Sequence, residues 1–157
     1  MKSIKTVVFS VIAGLSFSSL AMAGEAELDG YCPVCYISAG KAVQGVEKFK
    51  SEYKGETYYF VHADAKAAFD KTPAKFIPAY GGYCAYGITL GKKFEADPTQ
   101  FTVVDGVIYM SSNADIKKKF DADSKGYIAK AGAKWEMISK ADMAKKEEMM
   151  KKEEMKK

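Results

Sequence analysis

Cys32 and Cys35 stand three positions apart in the segment DGYCPVCYISAGK, and Cys84 is the third cysteine of the chain. Two thiols at this spacing can shuttle electrons, close on one soft metal ion, or staple a small domain. Redox chemistry of the thioredoxin type asks for a buried strand before the first thiol and a long helix after it. Glu27-Leu28-Asp29-Gly30 makes no such strand, and Tyr36-Ile37-Ser38-Ala39-Gly40 breaks too early for the helix. The metal reading draws in more of the sequence. Thiolates select Cu(I) or zinc, and Cys84, the lone His62 and the Met110 thioether can add to a Cys32–Cys35 shell where the fold brings them close. Copper is the better fit of the two metals, because the C-terminal tail is rich in methionine. The third reading is a disulfide, Cys32–Cys35 or Cys32–Cys84, contributing about 2–4 kcal/mol to a non-catalytic binding module. Tyr31, Tyr36, Tyr83 and Tyr86 flank the cysteines, either as core or as the wall of a site. With one histidine, no Gly-x-Ser-x-Gly and no paired carboxylates beside a nucleophile, little is left to run hydrolytic acid–base chemistry.

The compartment bears on all three readings. Lys2 and Lys5 precede an apolar run from Val7 to Leu20, and Ala21-Met22-Ala23 is a small-x-small cleavage site. Residues 1–23 therefore read as a signal peptide, and the mature chain is expected to be periplasmic or secreted from a bacterium, with no stable membrane span after cleavage. Three cysteines in an oxidising compartment is an odd count, consistent with one disulfide and one thiol or with a site that uses all three. Net charge is +4, every basic residue is lysine, and lysines alternate with acids. Nucleic-acid readers lean on arginine, so no nucleic-acid partner is expected.

The elements that must position these thiols repeat. Gly55, Tyr58, Phe69, Asp70 and Phe76 recur as Gly106, Tyr109, Phe120, Asp121 and Tyr127, a spacing of about fifty residues that calls for an internal-repeat reading. Tyr31-Cys32 answers Tyr83-Cys84 slightly out of step. Each unit, about residues 30–80 and 81–135, carries two β-rich runs about a glycine turn and then a short helix. Lys54-Gly55 joins Lys48–Tyr53 to Thr57–Val61, and Asp105-Gly106 joins Phe101–Val104 to Val107–Met110; Asp-Gly is a strong hairpin signal. Helices are expected over Ala63–Lys71, with Ala67 and Phe69 inward, over Asp115–Ala122 capped by Ser112 or Asn113, and over Tyr127–Lys134, with a short helical stretch from Pro73 toward Tyr80. The predicted fold is α+β: one domain over residues 24–138, built from two hairpin-plus-helix units with pseudo-two-fold symmetry. Residues 139–157 form a charged helix or tail, with Glu147–Lys151 and Glu148–Lys152 at i,i+4 and methionines spread around its circumference.

The stretch GETYYFVHADAKAAFDKTPAKFI, from Gly55 to Ile77, resembles the YHS domain, and CPVCY resembles that family's opening motif, with Cys32 where Asp is usual. YGGYCAYG and FTVVDGVIYMSSNADIKKKFDAD are similar to the longer, exported branch of the family. The resemblance covers the chain to Trp135 and omits the Met-rich tail. It implies heavy-metal handling, copper among the metals, with Cys35 matching the opening motif and Cys84 the exported branch. It does not carry over the family's Cys-Ser-x-x-x-Cys after the aromatic strand, where this chain has Val61-His62-Ala63-Asp64-Ala65, so a four-cysteine clamp is absent. The expectation is an exported soft-metal-binding protein, most directly for Cu(I), drawing on Cys32, Cys35, Cys84 and His62.

Overall fold

The computed structural model describes residues 26–156, so the expected signal peptide lies outside the described residues. The fold is mixed α+β, with two separate antiparallel hairpins and several helices. Strand β1 (Val46–Tyr53) pairs with β2 (Glu56–Phe60), and β3 (Asp97–Val104) pairs with β4 (Val107–Ser111). Both turns need two consecutive left-handed residues. Lys54 and Gly55 supply φ of 54° and 86°, and Asp105 and Gly106 supply 51° and 79°, the geometry of a type I′ turn. Each first strand carries a register shift, between Val46 and Lys50 in one and between Asp97 and Phe101 in the other. Such a shift bends the strand and raises its twist, which lets a short hairpin wrap a helix.

Helix α1 (Pro33–Ser38) precedes the first hairpin and α2 (Ala63–Lys71) follows it. Helix α3 (Ala85–Thr89) precedes the second hairpin, and α4 (Ala114–Ala122) and α5 (Ser124–Glu154) follow it. In α2 the inward residues are Ala65 and Phe69, while Ala67 is exposed, contrary to the sequence expectation. The step from Ala65 to Phe69 is four residues, one helical face, and Ala67 falls on the opposite side. Phe69 is the hub of the first core, its ring centroid 5.0 Å from that of Phe60 and 5.1 Å from that of Tyr58. Each such side chain stabilises the fold by about 1.5–3 kcal/mol through burial. Phe120 does the same in the second core, 5.6 Å from Tyr109 and 6.1 Å from Tyr127.

The expected short helix over Tyr127–Lys134 is the start of α5, which continues to Glu154. No proline or helix-ending glycine interrupts this stretch, and Lys140–Glu136 and Lys152–Glu148 pairs support it at 2.8 and 2.7 Å. Its first turns bury Ala131 and lay Tyr127, Ile128 and Trp135 against α3 and the turn at Tyr80. Lys93 reaches Asp142 at 2.8 Å, and from Met143 onward every described residue of the helix is exposed. Tyr36 ties α1 to the second hairpin. Its buried ring meets Phe101 edge-on at 4.6 Å, its hydroxyl donates to the Pro98 carbonyl at 3.0 Å, and Ile108 and Met110 complete the cluster. Among the described residues no helix is long and apolar enough to cross a membrane.

Candidate functional site

The Cys32–Cys35 pair is set by the chain on either side of it. Leu28 and Asp29 are left-handed, with φ of 57° and 50°, and Gly30 follows at 77°. This turn delivers Tyr31 to Gln44 as a β-bridge, and the Gly45 amide donates to the Gly30 carbonyl at 2.9 Å. Gly45 can carry no side chain, because a Cβ there would lie 2.6 Å from the Tyr59 carbonyl carbon. Cys32 then caps α1 from extended backbone, its amide donating to the Val43 carbonyl at 2.8 Å, and Pro33 opens the helix where a missing N–H costs nothing. One turn of helix brings Cys35 back over Cys32, whose carbonyl accepts the Cys35 amide at 3.1 Å.

Both thiols are free and buried in the same core cluster. Their shell is apolar: Val34, Tyr58, Phe60, Ala65 and Phe69 share the cluster, with Cys32 fully buried and Cys35 nearly so. Burial, and then the hydrogen bond and the nearby charge of Cys32, push the Cys35 thiol up from 9.0 to about 12. An activated redox cysteine needs the opposite shift. Helix α1 has only six residues, too short for the long helix that thioredoxin-like activation uses.

The other two candidate ligands sit apart from this pair in their contacts. His62 is exposed and caps α2, its Nδ1 accepting the Ala65 amide proton at 3.2 Å. Asn113 does the same for α4, its Oδ1 accepting from Ile116 at 3.0 Å. Cys84 is buried at the start of α3, bridged through its backbone to Met110 and donating its amide to the Phe94 carbonyl at 3.0 Å. It lines an apolar cavity of about 330 Å³ with Tyr86, Leu90, Phe94 and Ile116. Among the described residues no three His, Cys, Asp or Glu side chains converge as a metal-holding group. The structure thus joins Cys32 to Cys35 and Cys84 to Met110, and does not assemble all four expected ligands into one shell.

Of the flanking tyrosines, Tyr36 is core, Tyr86 packs edge-on against Tyr127 at 5.3 Å, and Tyr83 lies under the Lys93 ammonium at 4.5 Å. Sequence reasoning missed two residues that shape the second thiol's surroundings, Gly87 and Phe94. A Cβ on Gly87 would fall 2.5 Å from Phe94 Cδ2, a close approach that only pairing Cys84 and Gly87 with Cys32 and Cys35 could have signalled. The chain matches no protein-family profile, no curated protein and no solved structure.

Proposed function

We propose that this protein binds one soft metal ion, Cu(I), between the thiolates of Cys32 and Cys35. The observation that carries the reading is the burial of both thiols, three residues apart, in one apolar shell. A d¹⁰ ion with two thiolates is content with low coordination, so the absence of a third ligand is no obstacle. A hard ion would keep its water and could not enter this shell. Binding must displace both thiol protons, so uptake is coupled to proton release. The likeness of Gly55–Ile77 to the YHS pattern, a family associated with metal handling, supports the same reading.

The proposal extends to the whole chain: an exported protein, cut after Ala23, whose two hairpin-plus-helix units are copies. In support, the two first strands shift register at corresponding places, and His62 and Asn113 cap corresponding helices. Ser51 and Lys66 both bond Asp70 as Thr102 and Lys117 both bond Asp121. A second reading, a structural Cys32–Cys35 disulfide, draws on the same shared cluster, although both cysteines are free in the structure. A disulfide cannot bind the ion, so the two states compete. Reduced protein titrated with Cu(I) against a chromogenic chelator should take up one ion. Cys35→Ser should lose at least about 1.4 kcal/mol of that affinity, a factor of ten, while Cys84→Ser keeps it. Equal, weak uptake by wild type and Cys35→Ser would leave the disulfide reading standing.

A further inference from the structure

Resting on the dithiol reading and on the correspondence of the two units, we infer that Phe94 is a plug over position 87 that excludes the second thiol a dithiol site with Cys84 would need. Cys84 occupies in the second unit the place Cys32 occupies in the first. Each caps a short helix, and each follows a left-handed turn, Leu28-Asp29-Gly30 before one and Tyr80-Gly81-Gly82 before the other. Each donates its amide across to the segment leading into the next strand, Cys32 to Val43 and Cys84 to Phe94. Three residues after Cys32 comes the second thiol, Cys35; three residues after Cys84 comes Gly87.

Gly87 has no positive φ, so backbone conformation does not demand glycine there. Space does. A Cβ at Gly87 would lie 2.5 Å from Cδ2 and 3.4 Å from Cε2 of Phe94, and 3.3 Å from the Lys92 carbonyl oxygen. The Phe94 ring therefore stands over the position from which a second thiol would project. In the first unit the residue at the corresponding backbone position, which accepts the Cys32 amide, is the smaller Val43. Phe94 is 45% exposed, so it is held over Gly87 as a lid and is not locked into a core. Cys84 is left as a single thiol beside it, in a mostly apolar cavity to which Ser112 and Asn113 also contribute.

The test is a substitution cycle on the full mature chain, reduced and metal-free, with Gly87→Cys, Phe94→Val and the double variant. Gly87→Cys alone should melt roughly 5 °C or more below wild type, because a side chain is forced against the ring. Adding Phe94→Val should recover most of that loss, since cysteine and valine already fit this backbone in the first unit. A double variant that melts no higher than Gly87→Cys alone, or that does not fold, overturns the plug. Titration with Cu(I) against a chromogenic chelator then reads the site itself. One ion for wild type and two for the double variant is the expected result, and one ion for a well-folded double variant contradicts it. Wild type that takes up none, with Cys35→Ser no different, removes the dithiol reading instead, and the melting cycle still decides whether Phe94 excludes a side chain at Gly87.

Discussion

His62 shows how one side chain can satisfy two different sequence patterns. As the lone histidine beside an aromatic strand it reads as a metal ligand; in the fold its Nδ1 is occupied by the Ala65 amide. Asn113 does the same work with no capacity to bind a soft ion in this way, so the helix cap alone explains the residue. His62→Asn should therefore leave stability within about 0.5 kcal/mol of wild type, whereas His62→Ala should cost about 1 kcal/mol in urea unfolding. Cu(I) affinity should hold in His62→Asn, and a drop of about tenfold or more would bring the imidazole into the shell. Cys35 was legible in the sequence as a partner of Cys32, because a spacing of three closes over one helical turn. Its raised thiol was not, since that depends on Tyr58, Phe60 and Phe69 arriving from later elements to exclude water.

The hairpins and α2 were legible because their signals are local. Asp105-Gly106 between β-branched runs specifies its turn, and the bounds of α2 follow from a cap at His62 and the proline at Pro73. The strand beginnings were harder: β3 starts at Asp97, before the register shift, in residues with no alternation to betray them. Helix α5 joins two stretches that the sequence reads apart, a short helix over Tyr127–Lys134 and a charged helix or tail over residues 139–157, because no apolar stripe runs between them; ion pairs and Lys93 reaching Asp142 support the outer turns. The tie between β1 and α2 makes its own prediction. Hydrogen bonds from Lys66 and Ser51 hold the Asp70 carboxyl below its ordinary 3.8. A carboxyl whose pKa falls on folding stabilises fully above its unfolded value, about 3.9, and that contribution is lost as pH falls through the lowered folded value. Asp70→Asn should thus be less stable than wild type at neutral pH, by under about 1 kcal/mol because the pair is largely exposed, and the gap should narrow below about pH 4. A gap of constant size from pH 7 down to about pH 2 would show that the carboxylate charge is not what links strand to helix.

Across the chain, Tyr36 packs α1 against the second hairpin, and the thiols end up in different places. A recurrence of about fifty residues could not show that Cys84 would lie beside Met110, apart from the cluster that holds Cys32 and Cys35. That outcome depends on which helix packs on which hairpin, and no single stretch of sequence encodes it. Export also concerns the chain as a whole: intact-mass measurement of periplasmic extract should find a mature protein beginning at Gly24, and a mass retaining residues 1–23 would contradict it. If the ion sits between two sulfurs, X-ray absorption at the copper edge of Cu(I)-loaded protein reads those neighbours directly. Two sulfurs should surround the copper, unchanged in Cys84→Ser and lost in Cys35→Ser. A shell dominated by nitrogen or oxygen, or one that loses sulfur in Cys84→Ser, would contradict it.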